Sequence, residues 1–211
     1  MSFDINVCPM YTRLGEFRDN SAHSMHKYGL RLFHAHMPRL YPCADSKIDG
    51  DYLAKGKDDP FWLNPKIPST FENMLAWKCG RNGAITERTG AVTFKNFKIA
   101  DSGIAGIEFS FIEDVADGDA NVKGGIIVGN TYLNDDDDVI KGSTVWGFIG
   151  PRTENFTMSD VRFYNFNFVN SSAIGTCSHC FHPASTDSGG RTFTVSNLTF
   201  DASTVPRRIN W

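Results

Sequence analysis

From residue 90 onward the chain alternates apolar and polar positions in short runs broken by turn residues. Ala91-Val92-Thr93-Phe94-Lys95-Asn96-Phe97-Lys98-Ile99 alternates, turns at Asn96 and alternates again. Gly106–Phe111, Gly125–Val128, Thr144–Phe148, Phe156–Phe163, Phe166–Val169 and Arg191–Val195 continue the pattern. Strand side chains repeat every two residues, so such runs predict half-buried strands. No period of 3.6 persists after residue 90, which argues against helices there. With Val92, Ile107, Ile126, Trp146 and Val161 as strand centres, the steps are 15, 19, 20 and 15 residues.

Two architectures fit. A β-sandwich would pair the strands as hairpins. A parallel β-helix would stack coils of roughly 20 residues. Phe94-Lys95-Asn96-Phe97 and Phe163-Tyr164-Asn165-Phe166 share one form and favour the second. Asn tolerates the left-handed backbone of a sharp corner, and its amide can bond along a stack. The expectation is an all-β, right-handed parallel β-helix over residues 1–211, with inward Phe, Ile and Val.

The first 90 residues are less regular. Tyr28 to His36 reads as a strand with Leu30 and Leu32 on one face and His34 and His36 sharing a face. Residues 37–70 read as a long irregular decoration, interrupted by Pro38, Pro42, Pro60, Pro65 and Pro68 and pinned by Phe61, Trp62 and Cys43. Phe71 to Cys79 is open between a short helix and a strand.

Composition changes this picture little. The 17 Phe and 19 Gly suit short strands joined by turns. A net charge of -3 supplies no basic field for nucleic acid. No apolar run approaches the roughly 20 residues of a membrane helix. The chain opens without the charged and apolar regions of a signal peptide. Yet five cysteines and the sequons at Asn155, Asn170 and Asn197 suit a secreted protein. Both observations fit a segment of a longer extracellular or cell-surface protein.

Several stretches resemble the fibrocystin/polyductin family, especially its fibrocystin-like members. They include Asn20-Ser21-Ala22-His23-Ser24, Tyr28–Phe33, Leu75-Ala76-Trp77-Lys78-Cys79, Val161–Phe166 and Gly175-Thr176-Cys177-Ser178-His179-Cys180-Phe181, then Thr186–Gly190. The resemblance implies large secreted or membrane-anchored proteins with right-handed parallel β-helix segments. It implies coat, adhesion or receptor-like roles and supplies no catalytic residues. Related β-helix proteins that bind or cleave hyaluronan make glycans a further partner class.

The candidate chemistry is sparse. Cys8, Cys43, Cys79, Cys177 and Cys180 are disulfide candidates, and five cannot all pair internally. His34, His36, Cys177, Cys180 and His182 are the alternative, a zinc set, because zinc takes Cys and neutral His. Asp135–Asp138 and the loop with Glu113, Asp114, Asp117 and Asp119 could attract calcium, but consecutive acids cannot all face one ion. Glycoside hydrolysis needs two acids across a cleft. Glu108, Glu113 and Asp187 are acids at strand or corner positions, and nothing singles them out. No nucleophile elbow, phosphate loop or dinucleotide fingerprint is present.

The expected role is therefore a structural or adhesive scaffold without a required cofactor. Its partners would be other extracellular proteins, neighbouring segments of the same chain, or glycans. The alternative is a polysaccharide hydrolase or lyase acting on an acidic glycan.

Overall fold

The computed structural model describes residues 8–43, 64–112, 118–131, 144–168, 170–176, 193–201 and 209–210. Among these residues there are fourteen strands and no helix. They are β1 Ser21–His23, β2 Tyr28–Leu32, β3 Ser69–Glu72, β4 Leu75–Trp77, β5 Asn82–Thr86, β6 Val92–Ala100 and β7 Ala105–Phe109. The rest are β8 Ala120–Val128, β9 Trp146–Gly150, β10 Phe156–Tyr164, β11 Ser172–Thr176, β12 Thr194–Ser196, β13 Thr199–Asp201 and β14 Ile209–Asn210.

Every pairing between these strands is parallel, which removes the hairpin sandwich. Two sheets form. The first runs β1-β4-β6-β8-β10-β12, with β3 beside β6 and β13 beside β10. The second runs β2-β5-β7-β9-β11-β14. The chain crosses back and forth between the sheets, adding one strand at each pass except where β3–β4 and β12–β13 enter the first sheet as pairs. A third, minimal line joins His36 to Thr89 and Thr89 to Ile112 by parallel bridges.

The repeat length differs from the expected 20 residues. Registers Ser21↔Leu75, Leu75↔Lys98, Lys98↔Ile126, Ile126↔Arg162 and Arg162↔Thr199 set steps of 54, 23, 28, 36 and 37. The strand centres read from sequence belong alternately to the two sheets, so their spacing measures half repeats. Insertions between strands then lengthen each repeat without disturbing the pairing, because loop closure costs grow slowly with length.

The core lies between the sheets. In β6 the alternation changes phase in mid-strand: Val92 and Phe94 are buried, Asn96 is exposed, then Phe97 and Ile99 are buried. Asn96 has φ 53°, and this left-handed residue turns the strand so that both arms face inward. β10 repeats the device at Asp160, φ 59°, between Met158 and Val161. The expected ladders form: Phe71, Phe94, Val122 and Met158 align across the first sheet, as do Ala76, Ile99, Ile127, Phe163 and Phe200. Leu30, Ala84, Ile107, Phe148 and Ile174 face them from the second. Phe109 bridges the sheets, with ring centroids 5.0 Å from Phe94 and 4.9 Å from Phe156.

Part of the glycine content serves packing, not turns. Gly29, Gly83, Gly106 and Gly147 each follow the registered residues Tyr28, Asn82, Ala105 and Trp146. A Cβ on Gly106 would sit 2.6 Å from the Gly147 carbonyl oxygen and 2.6 Å from Ile127 Cγ2. The two sheets approach too closely along this row for any side chain.

Three local expectations change. The strand from Tyr28 ends at Leu32, and Ala35 and Met37 leave it to pack with Tyr11 in a small second cluster. Phe71 to Cys79 is two strands with a corner at Asn73, φ 55°. Asn96 and Asn165 both have positive φ, yet they lie at different corners of the repeat. The expected pin at Phe61 and Trp62 lies outside the described residues.

Candidate functional site

The site is built on the outer face of the first sheet, at its corner. Registers on either side place Asp19, Asn73, Asn96, Gly124, Asp160 and Asn197 opposite one another. All six have positive φ. Asn, Asp and Gly populate this region at least cost, which explains the residue types. Asn73 Nδ2 donates to Asp19 Oδ1 at 2.9 Å, and Asn197 Nδ2 donates to Asp160 Oδ1 at 2.6 Å. The Asn197 amide and then the Ser159 hydroxyl hold the Asp160 carboxyl below the usual carboxylate range. Gly124 interrupts the ladder: a Cβ there would lie 2.5 Å from Asn96 Oδ1.

Two residues beyond each corner, side chains point outward again. Leu75, Lys98, Ile126 and Arg162 therefore align across four strands. With Asp19, Asn73, Asn96 and Gly125 they line a groove of about 610 Å³. Lys98 and Arg162 are exposed and enter no ion pair among the described residues. Lys95, one row back, pairs with Glu72 at 2.8 Å. A row of Thr70, Thr93, Asn121, Thr157 and Thr194 flanks the groove on one side. On the other, Trp77 and Tyr164 stand at either end of Ala100 and Val128. His23 stacks on Trp77 with centroids 4.5 Å apart. The groove can present amides, two cations, the Asp19 carboxyl and a small apolar floor to an extended ligand.

The sequence-expected sites fall elsewhere. His34 and His36 do not share a strand face, because the strand stops before them. His34 is exposed; His36 is half-buried, with Nε2 2.9 Å from Ser69 Oγ, and desolvation lowers its pKa. No group of three metal-binding side chains occurs among the described residues. Cys177, Cys180 and His182 lie outside them, as do Glu113, Asp114, Asp117, Asp135–Asp138 and Asp187.

Cys8 is joined to Cys43, which ties the N-terminal segment to the irregular stretch. Cys79 is a correction to the disulfide set: its thiol is buried and free. It points into the core between the sheets near Gly29 of β2, away from the surface. Burial pushes this thiol up, against a smaller lowering by a backbone bond to Met25.

Glu108 is buried in β7, where Asn82 Nδ2 donates at 2.8 Å and Ser110 Oγ at 3.0 Å. These bonds make it a satisfied interior carboxylate with no access to a polymer. Asn155, Asn170 and Asn197 are all exposed, each with positive φ.

The groove was not read from sequence. Its signal is a triplet: a left-handed residue, an inward residue, then the groove residue. Asn73-Met74-Leu75, Asn96-Phe97-Lys98, Gly124-Gly125-Ile126 and Asp160-Val161-Arg162 share it. The unequal repeat lengths hide it from any search for a fixed period.

These features define an all-β protein of stacked parallel strands, with a mixed polar and cationic groove across one sheet. In sequence the chain is similar to fibrocystin proteins. It is 28% identical over 181 residues to Fibrocystin-L of Homo sapiens and 27% identical over 181 to that of Mus musculus, each covering 84% of this chain. It is 26% identical over 188 residues, 87% of this chain, to Fibrocystin of Canis lupus familiaris. The aligned stretch is 4% of each relative's length. No family model matches the chain. No solved structure matches it either.

Proposed function

We propose that the chain is a right-handed parallel β-helix segment with a structural or adhesive role in an extracellular or cell-surface protein. One observation carries the architecture: the chain passes back and forth between two wholly parallel sheets, with β3–β4 and β12–β13 entering the first sheet as pairs. Parallel crossovers within a sheet are right-handed in the great majority of proteins, which supports the hand. Rigidity is the mechanism. Each repeat hydrogen-bonds to the last along both sheets, and the aligned Phe and Ile rows bury a continuous core. The outer rows and insertions remain to engage other extracellular proteins, glycans or adjoining segments.

The likeness to Fibrocystin-L, the three exposed sequons and the Cys8–Cys43 bond support an oxidising, extracellular setting. The test is secretion of the chain from cultured animal cells, followed by mass spectrometry without reduction and by viscometry of hyaluronan. Glycans on the sequons, an intact disulfide and constant viscosity are expected. A progressive fall in viscosity would overturn the scaffold in favour of a polysaccharide-cleaving enzyme.

A further inference from the structure

We infer that the groove at Lys98 and Arg162 binds a linear acidic polysaccharide laid across the strands, with carboxylates at disaccharide spacing. The inference rests on the scaffold reading and names the ligand class of its outer face.

Three observations carry it. The first is charge spacing. Lys98 and Arg162 are two strands apart in register, with Ile126 between them. Adjacent strands are about 4.8 Å apart, so the two cations rise from backbones roughly 9–10 Å apart. An extended sugar chain with one acid per disaccharide repeats its charge at about that interval. Neither cation is held by an acid among the described residues. Asp19, which also lines the groove, and the corner acid Asp160 accept bonds from the Asn73 and Asn197 amides, which orient both carboxyls without cancelling their charge.

The second is the lining. Asn73 and Asn96 place side-chain amides beside the cations, and Leu75 and Ile126 provide an apolar floor. Sugar rings present hydroxyls at their edges and C–H groups on their faces, so both surfaces find partners. The absent side chain at Gly124 lets Asn96 Oδ1 lie close over the β8 backbone.

The third discriminates between polymers. An acidic peptide could match the charges, but an extended peptide binds best by adding a strand at a sheet edge. This groove crosses the middle of the sheet, where β6, β8 and β10 pair with strands on both sides. A peptide backbone lying here would find no free backbone partners. A polysaccharide needs only the side chains.

The experiment is titration calorimetry of the 211-residue chain. The ligand is an octasaccharide alternating glucuronic acid and an N-acetylhexosamine, at 50 and 200 mM salt. Its carboxyl-reduced, neutral form and an acidic peptide of similar length are the comparisons. Binding of the acidic sugar that weakens with salt is expected. Lys98→Ala and Arg162→Ala should each weaken it about tenfold, with the thermal midpoint unchanged because both side chains are exposed. Lys27→Ala, away from the groove, should bind like the parent chain.

Equal binding of the neutral sugar, tighter binding of the peptide, or full binding by the double variant would each overturn the inference. So would absence of binding, which leaves the scaffold reading standing. Shortening of the octasaccharide during the titration would instead sink the scaffold reading.

Discussion

Asn96 shows how one residue can set the direction of a strand. Its φ of 53° reverses the alternation, so Phe94 and Phe97 both enter the core and stack with centroids 4.6 Å apart. A β-branched residue pays heavily for that conformation. Asn96→Val should therefore destabilise the chain by about 1–2 kcal/mol, while Asn96→Gly stays near the parent. Urea unfolding midpoints of the two variants check this. His36 supplies the second prediction at this scale. Desolvation lowers its folded pKa below the ordinary value of 6.5. The unfolded chain therefore binds the proton more readily, and stability falls as pH drops from about 6.5 toward the lowered value. The thermal midpoint should decline over that window, and His36→Gln should remove part of the decline. An identical decline in the variant would refute the assignment.

At the level of strands, the glycine row sets how closely the sheets pack. Gly106→Ala brings a methyl group against the Gly147 carbonyl and Ile127, so the strand must shift. The expected cost is about 1–3 kcal/mol, read from chemical denaturation. Gly15→Ala, with nothing within 4 Å, should leave the midpoint within error and serves as the control. The row was hidden in the sequence because glycine in a strand carries no hydrophobic signal. Gly106 reads as a strand start and Gly147 as a position inside the run Thr144–Phe148, neither as a contact surface. The corner at Asn73 was hidden for another reason. Phe71 to Cys79 is too short for its period to separate helix from strand, and only pairing with Lys98 and its neighbours decided the matter.

For the molecule as a whole, the disulfide and the second cluster form one device. Cys8–Cys43 closes a 35-residue separation, and Tyr11, Ala35 and Met37 pack together within it. Reduction should cost about 2–4 kcal/mol through the freed chain entropy. The loss should be concentrated near this cluster. Hydrogen exchange should accelerate at Met37 and Arg39, whose amides bond to Met10 and Tyr11. Amides of β6 and β8 should change little. Uniform acceleration through both sheets would show that the bond supports the whole stack.

Local sterics made much of this protein readable from its residues alone. Alternation in Val92–Ile99 and Phe156–Phe163 identified strands, and the Asn corners pointed to parallel stacking over hairpins. Register is different, because it joins residues 23 to 54 positions apart across insertions of unequal length. Only tertiary pairing could show that Asn96 matches Asp160 and not Asn165, or that Lys98 and Arg162 share a groove. Side-chain direction is written into two-residue periodicity, whereas neighbourhood is settled by which backbones find each other.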